Sequence, residues 1–301
     1  MIKNGFMKIL VMVIMITSLT ACNQSGKVEN TFSTNNEVIN NLTNEALKAS
    51  SNGSGEKLDD LQNEYKNLDM SKSKFEKGYY DYQGTINNNL LIQMSIYPLP
   101  DEIVGSYFYE KQGKEIKLKG KADEKYIILY EYDESGKNTG IFKGTMDTVD
   151  KIQGTWISGD GKINYPFSLS LKSILPGSEY GKRYAVAVGE ISDEDVEKFA
   201  NKIQSYIINN NKEKLAGEIS YPINVKINDK TTKIQNKAEF FKNYDLIFNS
   251  KYKQVMTNAF VKYMFANYKG VMFGEGNYNM WINGIASTNG TAKLMITAIN
   301  N

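Results

Sequence analysis

The sequence predicts a mixed fold: an all-β antiparallel meander closing into a barrel-like domain, followed by an α+β domain. Three observations carry this prediction. Between residues 75 and 173, short runs of apolar–polar alternation recur, separated by glycine turns and free of helical interruption. From about residue 190 the period shifts to that of amphipathic helices interleaved with further alternating runs. Ahead of both, residues 22–74 are rich in Asn, Ser, Lys and Glu and lack a dense apolar pattern, which is the composition of a tether.

The first element is a leader. Lys3 and Lys8 precede an apolar run, Ile9 to Ile16, and small residues then lead to Leu19-Thr20-Ala21-Cys22. A basic start, a short apolar centre and a small-residue end are the plan of a secretory signal. The apolar run is shorter than the roughly 20 residues a membrane-crossing helix needs. The four residues ending in Cys22 resemble the lipobox of bacterial lipoproteins. That resemblance implies a signal peptide over residues 1–21, a diacylglycerol on the Cys22 thiol, and a protein held at the extracytoplasmic face of the cell membrane. At about 0.8 kcal/mol per buried methylene, two acyl chains give durable anchoring where one is marginal. The lysine-, asparagine- and isoleucine-rich usage is that of an AT-rich genome and favours a Gram-positive host.

Within the tether, Gly53-Ser54-Gly55 marks a flexible break, and two short stripes have helical spacing. One is Val38, Ile39 and Leu42; the clearer one is Leu58, Leu61, Tyr65 and Leu68. We read both as transient helix in a spacer, with a helix docked on the next domain as the alternative.

Eight strands are expected next: Tyr82–Ile86, Leu90–Ile96, Ile103–Tyr109, Glu115–Lys121, Tyr126–Tyr132, Gly140–Met146, Lys151–Ile157 and Tyr165–Leu171. Gln112-Gly113, Ser135-Gly136 and Asp160-Gly161 supply hairpin chemistry between them. Closure into a barrel or a sandwich would manage the edges of such a meander. A glycine recurs just ahead of a large side chain in Gly84-Thr85-Ile86, Gly105-Ser106-Tyr107, Gly144-Thr145-Met146 and Gly154-Thr155-Trp156. The last of these is similar, locally, to segments of lipocalin- and avidin-like barrels, and Trp156 is expected to plug the core at one barrel end. The lysines from Lys111 to Lys125 alternate with apolar residues, as on the outward face of a strand, where they offer a surface to anionic envelope polymers.

Residues 174–189 read as a connector broken at Pro176-Gly177, with Tyr184–Val188 as one further strand. Ser192 is placed as a helix cap with Asp195 three residues on, and Val196, Phe199, Ala200, Ile203 and Ile207 share one face. A short helix near Lys212–Ala216, a strand Tyr221–Ile227 and a second amphipathic helix, Lys237–Phe248, follow. Val261–Phe265, Val271–Phe273, Tyr278–Asn283 and Leu294–Ile299 complete the set as strands. This order, with the segments N-N-N-K-E-K-L-A-G-E-I-S-Y-P-I-N-V and K-A-E-F-F-K-N-Y-D-L-I-F, resembles the NTF2-like (cystatin-like) superfamily over residues 190–301. The resemblance implies a curved sheet around a helix and a cone-shaped pocket. By motif, the pocket would be lined by Tyr206, Tyr221, Tyr244, Asp245 and Trp281.

Composition limits the chemistry. The chain has no histidine, and its single cysteine is Cys22. Ser-His-Asp and Cys-His nucleophiles are therefore excluded, together with nearly all ordinary zinc and iron sites. No catalytic residues, metal or cofactor are expected. With Lys3 and Lys8 set aside, basic and acidic residues balance at 34 each, so no general nucleic-acid surface is expected. The reading is a non-enzymatic ligand- or partner-binding accessory protein at the envelope. Two alternatives stand beside it: a histidine-free enzyme acting on a small extracellular molecule or glycan through Asp245 or a carboxylate pair, and an inhibitor or immunity-type protein that blocks an envelope-directed enzyme.

Overall fold

Inward-facing apolar residues on alternate positions roll residues 78–176 into a closed barrel. The computed structural model describes residues 58–227, 230–286 and 292–301, all within one compact unit. Cys22 and the tether as far as residue 57 lie outside the described residues. The barrel strands are β1 (Gly78–Ile86), β2 (Leu90–Pro98), β3 (Ile103–Tyr109), β4 (Glu115–Ala122), β5 (Tyr126–Tyr132), β6 (Asn138–Thr145), β7 (Lys151–Ser158) and β8 (Asn164–Pro176). Each pairs antiparallel with the next, and β8 returns to β1, so no edge is left open.

The interior is packed with Tyr82, Ile92, Met94, Tyr107, Leu118, Leu129, Phe142, Phe167 and their neighbours. Gly84, Gly105, Gly120 and Gly154 occupy inward positions where a Cβ would stand 2.0–2.2 Å from a carbonyl oxygen of an adjacent strand. These glycines let the strands bend sharply at close quarters, which is the physical source of the glycine rhythm in the sequence. On the outer face of β4, Lys117 and Lys119 are exposed while Leu118, Gly120 and Ala122 point in, the alternation expected of that lysine-rich stretch.

The stripe read as transient helix is α1 (Leu58–Asn67), and it docks on the barrel. Leu61 and Leu68 are buried against Ile128, Ile141 and Ile157 on the outer faces of β5, β6 and β7. Tyr65 meets Tyr130 edge-on at 5.2 Å, and Lys143 pairs with Glu64 at 2.8 Å. Three outward isoleucines on neighbouring strands form an apolar strip that needs a cover, so residues 58–74 belong to the folded body and not to the spacer. A 3₁₀ turn, Met70–Lys72, then carries the chain across one end of the barrel. There Phe75 enters the interior core beside Tyr80, and the Ala122 amide donates to Met70 Sδ at 3.2 Å.

After β8 come α2 (Ala185–Val188), α3 (Asp193–Ile208), α4 (Lys212–Gly217), β9 (Ile219–Ile227), β10 (Lys230–Ile234), α5 (Lys237–Ile247), α6 (Ser250–Asn258), β11 (Phe265–Asn267), β12 (Gly270–Glu275), β13 (Tyr278–Ala286) and β14 (Ala292–Asn300). The second sheet runs β10-β9-β14-β13-β12-β11, with β14 and β9 parallel and the remaining pairs antiparallel. Ser192, Asn211, Asn236 and Asn249 cap α3, α4, α5 and α6 through their side-chain oxygens. The five expected residues of α3 are all buried. Tyr184–Val188 is a helical turn and not a strand, α6 and β10 were not anticipated, and of Val261–Phe265 only Phe265 is in a strand. The last departure has a cause on the barrel side.

Residues 260–264 turn toward the barrel. Arg183, the sole arginine of the chain and 4% exposed, binds two parts of the fold at once. Its Nη2 donates to Asp81 Oδ2 on β1, and Nη1 donates to Ser95 Oγ on β2 at 3.1 Å. Nε and Nη2 reach the Met264 carbonyl at 3.2 and 3.1 Å. Ser95 and Ser173 donate to the two Asp81 oxygens at 2.7 and 2.8 Å, so the buried carboxylate is fully engaged. The rings of Tyr79, Tyr184 and Tyr263 surround the guanidinium at 5.0–5.8 Å. Alongside, Phe108 packs on Phe260 and Tyr263, and Lys262 bridges Glu115 of β4 and Glu197 of α3 at 2.7 and 3.3 Å.

Candidate functional site at the mouth of the barrel

The hairpins β1–β2, β3–β4, β5–β6 and β7–β8 turn at the barrel end opposite to the one crossed by Met70–Phe75. Here the interior changes character. Tyr107 and Tyr109 come from the end of β3, Glu131 from β5, Gly140 from β6, Trp156 from β7 and Tyr165 from β8. Strand parity sends all of them inward, and Glu131 is the only charged residue on the inward positions of the eight strands.

Glu131 is 5% exposed. Its Oε2 accepts from the Tyr107 hydroxyl at 2.5 Å and from Trp156 Nε1 at 3.1 Å. Among the described residues, no donor reaches Oε1 and no lysine or arginine pairs with the group. Burying a carboxylate without a countercharge costs several kcal/mol, and two neutral donors offset only part of that. Burial pushes the Tyr107 phenol well up, helped by Tyr109 and Glu131; Tyr109 is pushed up to about 12, also by burial. Both phenols therefore remain protonated at neutral pH.

The cluster is enclosed below and half-open above. Tyr107 meets Phe142 edge-on, and Phe142 meets Phe167, each at 5.2 Å, which closes the floor. Trp156 and Tyr165 lie parallel, 6.0 Å apart at 11°, and with Tyr109 they are half-buried. A Cβ at Gly140 would stand 2.7 Å from both Glu131 Oε1 and Trp156 Nε1, so only glycine lets the carboxylate and the indole meet there. The arrangement offers a carboxylate acceptor oxygen beside half-buried aromatic rings.

Trp156 packs against the barrel core at this end, as expected; that it is only half-buried and donates to Glu131 was not anticipated. Glu131 was missed, although parity marked it: Ile127 and Leu129 precede it on the inward face of the same strand.

Of the five residues expected to line a pocket in the second module, Tyr221 and Tyr244 meet on the ring of Phe240, while Asp245 faces solvent. Tyr244 is fully buried, but Asp245 beside it is exposed and paired with Lys212 at 3.0 Å. Adjacent helical residues differ by about 100° around the axis, and the core takes Phe240, Tyr244 and Ile247, leaving Asp245 in water. Trp281 is half-buried on the face of β13 opposite to Met280. Tyr206 is half-buried, with Lys214 Nζ 5.9 Å from its ring. Tyr221 packs on Phe240 at 6.4 Å, and Tyr244 on the same ring at 5.7 Å. The hydroxyls of Tyr221, Tyr244 and the unanticipated Tyr252 are buried without partners. Burial raises all three phenols, that of Tyr244 to about 12.

No group of three or more His, Cys, Asp or Glu among the described residues is arranged to hold a metal. No helix among them is long and apolar enough to cross a membrane. No family model matches the chain, and no curated protein matches it. Among solved structures it is similar to a de novo designed fluorescence-activating β-barrel, at 13% identity over 35% of this chain and 100% of that chain, with a TM-score of 0.25. The barrel described above rests on its own strand ladder and not on that likeness.

Proposed function

We propose that this protein is a lipid-anchored, extracytoplasmic binding component of the cell envelope, attached through Cys22 and non-enzymatic. One observation carries the binding role: a buried Glu131 that no described lysine or arginine pairs with, held by Tyr107 and Trp156 among half-buried aromatic rings at the barrel mouth. A buried charged side chain placed where an apolar core would be more stable is a usual mark of a binding site. The solvated, lysine-paired Asp245 and the absence of histidine support a non-enzymatic reading. We read the second module as NTF2-like, supported by its sheet order, by the parallel contact of β9 with β14, and by the apolar face of α3 in the same core.

Two experiments test this. In the native host, wild-type protein should fractionate with membranes, and Cys22→Ala should appear in the medium; retention of that variant at the membrane refutes the anchor. For the binding role, Trp156 is the internal probe, since Trp281 is the only other tryptophan. In a Trp281→Phe background, a ligand at the mouth should shift Trp156 emission saturably. A panel of envelope small molecules that leaves emission and melting temperature unchanged counts against the role.

A further inference from the structure

We infer that the barrel mouth recognises the ammonium head of a small organic cation. This rests on the binding role proposed above and specifies its chemistry. The recognition group would be Glu131, whose Oε2 is held by Tyr107 and Trp156 while Oε1 receives no donor among the described residues. A ligand that completes the site must donate hydrogen bonds to Oε1 and bring positive charge, because the inward positions of the barrel hold one negative charge and no positive one. An anion would face an uncompensated carboxylate. A neutral donor would satisfy the hydrogen bond and leave the charge unmatched.

The surroundings suit a cation for a second, independent reason. Trp156, Tyr165 and Tyr109 present aromatic rings at the rim, and ring faces attract ammonium groups, most strongly where water is excluded. The floor of Tyr107, Phe142 and Phe167 is closed, so only the head of the ligand enters and its remainder stays at the rim. The other buried carboxylate among the described residues, Asp81, has its own internal cation in Arg183. Glu131 has none among the described residues, and the ligand supplies it.

The test uses the soluble body from residue 23 onward, expressed as Trp281→Phe, at fixed ionic strength. Emission of Trp156 is titrated with benzylammonium, its neutral counterpart benzyl alcohol, and benzoate. Benzylammonium should bind saturably, about tenfold or more tighter than the alcohol, the scale separating charge-assisted from neutral hydrogen bonds; benzoate should not bind. Glu131→Gln, which keeps the shape, should bring the amine and the alcohol to parity. Tyr165→Ala keeps the carboxylate and should weaken both while preserving the preference for the amine, which covers the case in which Glu131→Gln fails to fold. If amine and alcohol bind equally in the parent protein, the charge class is wrong and the binding role survives. If none of the three probes titrates, both fall.

Discussion

Arg183 shows how much one side chain decides. In a chain whose other basic residues are all lysines, the one guanidinium stands where a planar, multidentate donor is required. Lysine would keep the charge, but it could not serve Asp81, Ser95 and the Met264 carbonyl together. Arg183→Lys should cost about 2–4 kcal/mol in urea unfolding, since it leaves buried polar groups unpaired. Hydrogen exchange should rise most at residues 259–264; an unchanged exchange pattern there would count against the role of Arg183 as a clamp. The candidate site also turns on single residues. Gly140→Ala should separate Glu131 from Trp156, red-shifting Trp156 emission in the Trp281→Phe background. The sequence showed Arg183 only as an oddity of composition, because its partners lie 81 to 102 residues away along the chain. Asp245 misled for the opposite reason. Its neighbour Tyr244 is a core residue, and a single helical step separates core from water.

At the scale of elements, what was legible followed local rules. Strand alternation marked all eight barrel strands, and the serine cap with its acidic first turn marked α3. The weaker features went astray. Helix α6 buries only Tyr252 and Met256, too sparse a stripe to stand out, and the helical period of α1 was visible without any sign of what it would cover. Leu61→Ala should destabilise the barrel by about 2–5 kcal/mol, the range for truncating a fully buried leucine. A chain beginning at residue 69 should expose Ile128, Ile141 and Ile157 and bind a hydrophobic dye that the full body does not. Equal dye binding by the two would mean that α1 is not a cover. The bend glycines make a sharper case: Gly154→Ala should destabilise the barrel far more than the 0.5–1 kcal/mol gained by alanine elsewhere, because its Cβ would strike the Lys143 carbonyl.

Over the whole molecule, the contact of the barrel with the second module includes charged groups beside its apolar and aromatic ones, and so depends on pH. Desolvation would raise Glu115, but the hydrogen bonds from Lys262 and Ser106 outweigh it, and the carboxyl lies below its ordinary value of 4.5. Its contribution to the contact is therefore complete above that value and disappears as pH falls through the lower, folded value. Glu197, on the far side of Lys262, is shifted upward by desolvation and does not share this loss. Lys262 is itself raised, by Glu115 and Glu197 against desolvation, and stays charged throughout the acid range. Acidification below about pH 4.5 should loosen residues 260–264 from β3 and β4, seen as faster hydrogen exchange there, and Glu115→Gln should abolish the pH dependence. A transition that persists in Glu115→Gln would assign it to another group.

By itself, the sequence determined the class of each half, the strands of the meander, the serine cap of α3, and the absence of histidine. Periodicity, turn residues and composition act within a few residues of one another, and they can be read along the chain. Only the tertiary structure decided that α1 covers the barrel, that Arg183 clamps the two modules, that Asp245 faces water, and that Glu131 sits among aromatic rings with no described cation beside it. Each of those facts is a meeting of residues far apart in sequence, and burial, which sets the cost of a charge, exists only once the chain has closed around it.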